Sequence, residues 1–144
     1  MTQKTRSVAT MMISTRGRYC LRVMIDLAEH KDSERIALKE IAERQSISQK
    51  YIESIMTLLS KNGIVDGMHG KGGGYKLTRN PEDYKVIEIL KLTEGTLAPV
   101  ACLEENCEPC PKRKECRTVK MWEKLYKTIT DFFDGITIAD LCEK

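Results

Sequence analysis

The sequence has no long apolar run and no apolar segment close to its N-terminus. Its 144 residues are 41% hydrophobic and 31% charged, which are ordinary proportions for a globular protein. A transmembrane helix needs about 20 apolar residues, and the polar start MTQKTRSVATMM has no signal-peptide core. We therefore expect a cytoplasmic protein without a membrane partner. We expect one domain, or one domain plus an appendage, with residues 1–11 as a disordered leader.

Histidine is also scarce, since His30 and His69 are the only two. They lie in unrelated sequence contexts, and no Ser/His/Asp or Cys/His arrangement of a nucleophilic enzyme can be built from them. Five glycines fall between residues 67 and 74, but the G-x-x-x-x-G-K-[ST] pattern of a phosphate-binding loop is missing. The sequence thus predicts neither an enzyme nor a small-molecule substrate.

The net charge is small, but it is unevenly distributed. Residues 1–80 carry 14 Lys and Arg against 8 Asp and Glu, whereas residues 81–144 carry 10 against 13. A basic half is typical of a protein that binds a polyanion such as DNA, although an excess of this size also occurs on ordinary solvated surfaces. The motifs of the first half have to decide between these two interpretations.

Four of the six cysteines fall within residues 102–116, which read CLEENCEPCPKRKEC. The spacing is C-x4-C-x2-C-x5-C, and the intervening residues are too polar to form a core. In a reducing compartment such clustered thiols are ligands or redox sensors more often than disulfides. An iron–sulfur cluster is the first interpretation, because thiolates are soft ligands that suit it. Structural zinc and a reversible thiol–disulfide switch remain as alternatives.

Apolar residues recur at helical spacing in three successive segments, residues 14–30, 36–45 and 48–62. The second and third segments are joined by the polar turn SIS, in which Ile47 is the one apolar residue. Two short helices around such a turn are typical of a helix-turn-helix motif. The side chains that begin the third helix would then reach base edges or phosphates; they are Ser48, Gln49, Lys50 and Tyr51.

Residues 64–78 follow directly and predict two short strands around a glycine-rich tip. A hairpin in this place is the wing of a winged helix. A further helix is predicted in residues 80–95, beginning at Asn80-Pro81. The expected fold is mainly α with a small β-hairpin wing: a winged helix-turn-helix DNA-binding domain over residues 12–95, then a cysteine-rich, cluster-binding loop over residues 96–117.

Residues 118–134 show the longest amphipathic pattern of the chain and contain its one Trp and both Phe residues. A single small domain rarely needs such an aromatic stripe at its far end. We infer a homodimer interface, with a core helix of the monomer as the alternative. Residues 136–144 predict a short cap, so residues 118–144 would form a long C-terminal dimerisation helix and its cap.

Four segments together resemble the IscR group of bacterial winged-helix transcriptional regulators, a family that includes NsrR, RirA and CymR. They read TRGRYCLRVMIDLA at residues 15–28, SQKYIESI at 48–55, NGIVDGMHGKGGGYKL at 62–77 and ITIADL at 136–141. The resemblance implies a homodimer that binds near-palindromic, double-stranded operator DNA. It also implies a cluster loop between the winged helix and the long C-terminal helix.

The same resemblance implies a 2Fe–2S cluster and three of its ligands, Cys102, Cys110 and Cys116. Two positions depart from the pattern of the cluster-binding members. Cys107 is an extra cysteine, and Val119 stands where those members have a histidine ligand. The fourth ligand is therefore open between Cys107, another residue and solvent.

The resemblance also implies several DNA contacts. Glu53 matches a glutamate with which the cluster state selects between classes of operator. Contacts to the minor groove and the phosphates are expected at the wing tip and at the start of the first helix, from His69, Gly70, Lys71, Arg16 and Arg18. His69 stands in the place of a family arginine.

These expectations describe a DNA-binding transcriptional regulator whose operator affinity or choice is set by an iron–sulfur cluster, controlling genes of cluster biogenesis. The alternative is a repressor of the same fold that responds to thiols, cysteine metabolism or zinc. A small iron–sulfur electron carrier would use the same cysteines, but it would need neither a helix-turn-helix nor a wing. Salt-dependent DNA binding separates these classes, because a carrier should show none.

Overall fold

The computed structural model describes residues 13–32 and 34–143, so the predicted leader, residues 1–11, lies outside the described part. The fold is mainly α with one β-hairpin, as predicted. In chain order the elements are α1 (Thr15–Glu29), α2 (Leu38–Gln45), α3 (Gln49–Lys61), β1 (Val65–Met68), β2 (Gly74–Leu77), α4 (Val86–Glu94), α5 (Val119–Asp134) and α6 (Ile138–Leu141). Within the described ranges, none of these helices has the length and apolarity that a bilayer span requires.

The predicted helix starts at Ser14 and Ser48 are confirmed by their capping hydrogen bonds. The Ser14 hydroxyl accepts from the backbone N–H of Gly17 at 3.0 Å, and the Ser48 hydroxyl accepts from that of Tyr51 at 3.2 Å. Each bond satisfies one of the N–H groups that a helix start leaves without a partner inside the helix. The third helix ends before Gly63, whose φ of +71° suits glycine at this position.

One core joins the first three helices. Its fully buried members include Val23 and Met24 of α1, Ile41 of α2 and Ile52 of α3. Cys20 is also fully buried, as its apolar face predicts, and burial raises the pKa of its thiol to about 12. This thiol is therefore a packing group rather than a reactive one.

Asp26 is the buried charged residue of the described chain, and it connects α1 to α2. Arg44 donates two hydrogen bonds to its carboxylate, at 2.7 and 3.0 Å, and the Gln45 amide donates a third at 2.9 Å. Burial raises the pKa of Asp26, but the hydrogen bonds from Arg44 and Gln45 outweigh burial, and the pKa lies below its usual value. The helix-turn-helix is thus fixed to α1 by an ionised carboxylate.

The wing is a two-stranded antiparallel hairpin in which Val65 pairs with Leu77 and Met68 with Gly74. A third segment joins it, because Ile36 and Tyr75 exchange two backbone hydrogen bonds of 2.9 Å. The second predicted helix therefore begins at Leu38 rather than at residue 36. A Cβ atom on Gly74 would lie 2.5 Å from the carbonyl oxygen of Ile36, so this close approach requires glycine.

The prediction of one continuous helix from Asn80-Pro81 is wrong. Residues Pro81–Asp83 form a single 3-10 turn, Tyr84 is extended, and α4 begins only at Val86. The buried Tyr84 accounts for the break. Its hydroxyl donates to the Ile64 carbonyl at 2.8 Å, and its own carbonyl accepts from the N–H of Ile138 at 2.9 Å. These bonds hold residue 84 as a strand-like bridge between the wing and the C-terminus.

The long helix α5 lies against α4 on one side. Tyr126, Ile129 and Phe133 pack on a small cluster formed by Val86, Leu90 and Leu97. The short helix α6 follows, as the predicted cap, and it begins with a reciprocal capping box between Thr137 and Asp140. Ile138 of α6 is fully buried in the main core, so the end of the chain closes onto α1.

Candidate nucleic-acid interface and cysteine loop

The start of α3 presents its polar side chains on the surface. Ser48, Gln49, Lys50 and Glu53 are exposed. Tyr51 differs from them, because it is half-buried and its ring packs edge-to-face on Tyr19 with 5.5 Å between the centroids. Tyr51 therefore supports the helix start as well as reaching the surface, whereas the other four side chains are free to contact a ligand.

The wing tip is formed by residues 69–73, which connect the paired ends of the two strands. His69, Gly70 and Lys71 are all exposed. Gly70 and Gly72 have φ angles of +92° and +77°, a left-handed conformation that favours glycine. A single hydrogen bond of 3.0 Å, from the N–H of Gly73 to the Gly70 carbonyl, closes the turn and leaves Lys71 at its end.

The base of the wing is anchored by Arg35, a residue that no sequence pattern indicated. Its guanidinium donates to the backbone carbonyl of Asp66 at 2.9 Å and to the carboxylate of Asp66 at 2.7 Å. This ion pair holds the pKa of Asp66 below its usual value. The two residues are 31 positions apart, so only the folded arrangement reveals the contact.

Arg16 and Arg18 lie in the exposed first turn of α1. Arg18 donates to the Thr15 hydroxyl at 3.0 Å. The helix start itself is fixed from outside, because the Glu94 carboxylate of α4 accepts from both the N–H and the hydroxyl of Ser14, at 3.0 and 2.7 Å. The start of α1 is thus joined directly to α4.

The cysteine loop, predicted over residues 96–117, lies between α4 and α5 and has little regular structure beyond one 3-10 turn at Ala101–Leu103. Its order comes from local turns, such as the hydrogen bonds from Cys107 N–H to the Glu104 carbonyl and from Arg113 N–H to the Cys110 carbonyl. One ion pair, between Arg113 and Glu123 at 2.7 Å, ties the loop to α5. Residues 108–117 are all exposed, so packing fixes this part of the loop only weakly.

All six cysteines are free thiols. In the loop, Cys102 and Cys107 are half-buried, whereas Cys110 and Cys116 are exposed. A hydrogen bond with the Thr118 hydroxyl, at 3.4 Å, lowers the pKa of the Cys116 thiol and so favours its thiolate form. This thiol lies directly before α5.

A family model described as Rrf2, iron-dependent transcriptional regulator, matches residues 13–144. The chain belongs to the Rrf2 family. Protein rrf2 of Nitratidesulfovibrio vulgaris is 37% identical over 132 residues, which cover 91% of this chain and 87% of that protein. The HTH-type transcriptional regulator IscR of Pectobacterium atrosepticum is 34% identical over 131 residues, covering 91% of this chain and 79% of that one.

Solved structures of Rrf2-type regulators share the fold. The IscR of T. potens has a TM-score of 0.70 and 36% identity, over 90% of this chain and 85% of that chain. The global cysteine regulator CymR of B. subtilis has a TM-score of 0.72 and 32% identity, over 90% and 95% of the two chains. The predicted winged-helix fold and the resemblance to the IscR group are confirmed. The chain is a DNA-binding transcriptional regulator and not an enzyme.

The cysteine loop of this Rrf2 protein fits an iron–sulfur cluster by the chemistry of its donors. Four free thiols lie within fifteen residues, and each is at least partly accessible. Their present arrangement is open, because no three Cys, His, Asp or Glu side chains of residues 13–32 and 34–143 converge on a metal position. A cluster would therefore require the loop to close around it.

Proposed function

We propose that this Rrf2 regulator changes its operator affinity or choice when the cysteine loop binds an iron–sulfur cluster, of the 2Fe–2S type, through Cys102, Cys110 and Cys116. The observation that carries the proposal is the position of four accessible thiols in a loop with little regular structure that leads into α5. Metal binding to such a segment is coupled to its ordering. The regulated genes would be those of cluster biogenesis.

The coupling to DNA follows from what the loop touches. It enters from α4, which holds the start of α1 through Glu94, and it leaves into α5, which packs on α4 through Ile129 and Phe133. Closing the loop would shift α5 relative to α4. In a homodimer joined through α5, this would change the separation of two winged helices, which must meet major grooves about 34 Å apart.

The proposed DNA surface consists of the α3 start, the wing tip and the first turn of α1. Its residues are Arg16, Arg18, Ser48, Gln49, Lys50, Tyr51, Glu53, His69, Gly70 and Lys71. Of these, Gln49 can read adenine through two hydrogen bonds, and Glu53 can accept from cytosine while repelling phosphate elsewhere. Glu53 is exposed on α3, so it can take part in this discrimination.

The test is a comparison of two DNA populations, one selected in vitro with cluster-loaded protein and one with the apo protein. We expect the loaded and apo forms to differ by at least about tenfold in affinity on one of the two populations, which corresponds to about 1.4 kcal/mol. Fluorescence anisotropy at fixed salt measures this. Glu53→Ala should reduce the difference, because a base-reading acid is removed. Equal affinities of the two forms on both populations would falsify the coupling.

Lys71 is expected to act through charge rather than through base recognition. Replacing Lys71 by alanine should lower the slope of log K against log salt by about one unit and leave the preferred sequence unchanged. The exposed Lys91 of α4 is a matched control outside the proposed surface, and Lys91→Ala should leave the slope unchanged. A Lys71→Ala variant with the wild-type salt slope would remove the wing tip from the proposed interface.

A second candidate is a thiol-responsive repressor without a cluster. The free thiols of the loop and the likeness to CymR, a cysteine regulator in B. subtilis, favour this alternative. It predicts a colourless protein whose DNA affinity changes when the thiols are oxidised. Visible absorption of protein purified without oxygen, with iron and sulfide assays, separates the two candidates.

A further inference from the structure

We infer that Cys107 supplies the fourth thiolate of the cluster, so that all protein ligands come from the one loop. The inference rests on the proposed cluster function. A 2Fe–2S cluster takes four donors besides its own sulfides, and Cys102, Cys110 and Cys116 supply three of them. The fourth has to come from this chain, from solvent or from a second copy.

The loop contains two hydrogen-bonded segments, residues 102–107 and 110–116, each of which begins and ends with a cysteine. In the first, Cys107 N–H donates to the Glu104 carbonyl at 3.2 Å, and the Cys107 thiol donates to the Cys102 carbonyl at 3.2 Å. In the second, Arg113 N–H donates to the Cys110 carbonyl at 3.0 Å, and Cys116 N–H donates to the Arg113 carbonyl at 3.3 Å. The four cysteines thus fall into two pairs along the chain, Cys102 with Cys107 and Cys110 with Cys116.

The first pair is also distinguished by burial. Cys102 and Cys107 are both half-buried, whereas the two thiols of the second pair are exposed. The Cys107 thiol already points back to the Cys102 backbone across its turn. Cys102 and Cys107 are therefore already in contact, which favours their binding to the same cluster.

The other donors of the described chain are less suitable. Cys20 is fully buried in the core, and Cys142 donates to the Ile138 carbonyl of α6, outside the loop. His30 lies at the end of α1, with its ring 2.8 Å from the Asp26 carbonyl, and His69 lies at the wing tip. Val119, which begins α5, is a hydrocarbon side chain and cannot coordinate.

Carboxylates are the remaining competitors, since the loop contains four of them: Glu104, Glu105, Glu108 and Glu115. Carboxylate oxygens are hard donors, whereas iron–sulfur clusters are held mainly by soft thiolates. The geometry and the donor chemistry therefore both favour Cys107.

The test compares Cys107→Ala and Cys107→Ser with the wild type after anaerobic reconstitution. The readouts are iron and sulfide per chain, the visible circular dichroism spectrum and the rate of cluster loss to a chelator. Cys107→Ala should lose the cluster more than about tenfold faster than the wild type, by analogy with the metal-affinity losses at ligand sites. Cys107→Ser should keep iron with a shifted spectrum, because oxygen replaces sulfur at one position.

Two controls make the result specific. Cys142→Ala removes a thiol outside the loop, and Glu108→Ala changes the exposed neighbour of Cys107; both should match the wild type. If Cys107→Ala has the iron content, the spectrum and the rate of cluster loss of the wild type, the assignment of Cys107 is wrong, while the proposed cluster function stands. An equal defect in Glu108→Ala would also overturn the assignment of Cys107, since it would indicate disturbance of the loop. A wild type that takes up no iron and sulfide would instead overturn the proposed cluster function.

Discussion

Replacing Asp26 by alanine is expected to lower the free energy of unfolding by about 3 kcal/mol at neutral pH. The carboxylate is only 2% exposed and accepts three hydrogen bonds from α2, so its removal breaks a buried polar link between α1 and the helix-turn-helix. Breaking a buried ion pair costs roughly 3–5 kcal/mol when the remaining charge stays buried. The lower end applies here, because the Arg44 side chain is 34% exposed and can be hydrated. Denaturant unfolding followed by circular dichroism measures the change.

Replacing the other partner of this ion pair, Arg44, provides a sharper comparison. Arg44→Ala leaves the buried Asp26 with the Gln45 amide and the partly exposed His30, so we expect a larger loss than for Asp26→Ala, about 4 kcal/mol. Glu40→Ala is the matched control. Glu40 is an exposed partner of Arg44 at 3.9 Å, and its removal should cost at most about 0.5 kcal/mol. Equal small losses for all three variants would show that Asp26 does not fix α2.

The pH dependence of stability tests the same carboxylate with a variant, Asp26→Asn, that keeps the shape of the side chain. The pKa of Asp26 is lowered in the folded state, so its contribution to stability is present above its unfolded pKa of about 3.9 and is lost as the pH falls through the folded pKa. The difference between the wild type and Asp26→Asn should therefore be largest near neutral pH and should shrink below about pH 4. A difference that is constant between pH 7 and pH 3 would contradict this assignment.

Local patterns were sufficient to predict most of the winged helix. Ser14 and Ser48 are N-caps because a short hydroxyl can accept from the first turn of a helix, and Gly63 ends α3 because glycine tolerates positive φ. Ile47 is buried in the turn between α2 and α3, as its isolated apolar character predicts. The two caps join residues only three positions apart, Ser14 to Gly17 and Ser48 to Tyr51, so the local sequence carries them.

The predictions of secondary structure are wrong where contacts with distant segments of the chain determine the backbone conformation. Tyr84 lies in a helical pattern, yet its hydrogen bonds to Ile64 and Ile138 hold it extended. Ile36 likewise pairs with Tyr75, although its own neighbours predict the start of a helix. Such contacts leave no periodic pattern in the sequence, because the partners are separated by tens of residues. The Arg35–Asp66 anchor of the wing escaped prediction for the same reason.

The cysteine loop shows a different limit. Their spacing predicted the four thiols as ligands, but within the described chain no three of them converge on one position. Polar loops of this kind gain their order from a bound group rather than from packing, so neither spacing nor the free fold determines the final arrangement. The same holds for the proposed DNA contacts of α3 and the wing, because the bases that these exposed side chains would meet are determined by the DNA sequence and not by this chain.

The face of α5 that α4 leaves uncovered is expected to form the interface of the proposed homodimer. Within the described chain, none of the sixteen residues of α5 is fully buried. Met121, Leu125 and Phe132, with Thr128, follow a spacing of four, three and four residues, which places them in one stripe along the helix. Met121 is 53% and Phe132 61% exposed. Large exposed apolar side chains in such a stripe are typical of an interface between copies.

Replacing Phe132 by glutamate should therefore raise the dimer dissociation constant by at least about a hundredfold, or roughly 2.7 kcal/mol. The two-fold symmetry of a dimer would bury the new charge twice, without a partner. The monomer itself should keep its circular dichroism spectrum and melting temperature, because Phe132 is exposed there. Analytical ultracentrifugation measures the dissociation constant. Affinity for DNA with two half-sites should fall in parallel, whereas affinity for a single half-site should be unchanged.

Lys120→Glu is the matched control for this experiment, since it also adds a negative charge to an exposed position of α5 but lies outside the apolar stripe. It should leave the dimer intact apart from a small, salt-dependent effect. If Phe132→Glu remains a dimer, the uncovered face of α5 is not the interface, and the proposed link between the loop and the spacing of the two winged helices fails with it. If the variant is monomeric but binds paired half-sites as tightly as the wild type, dimerisation through α5 does not set DNA affinity.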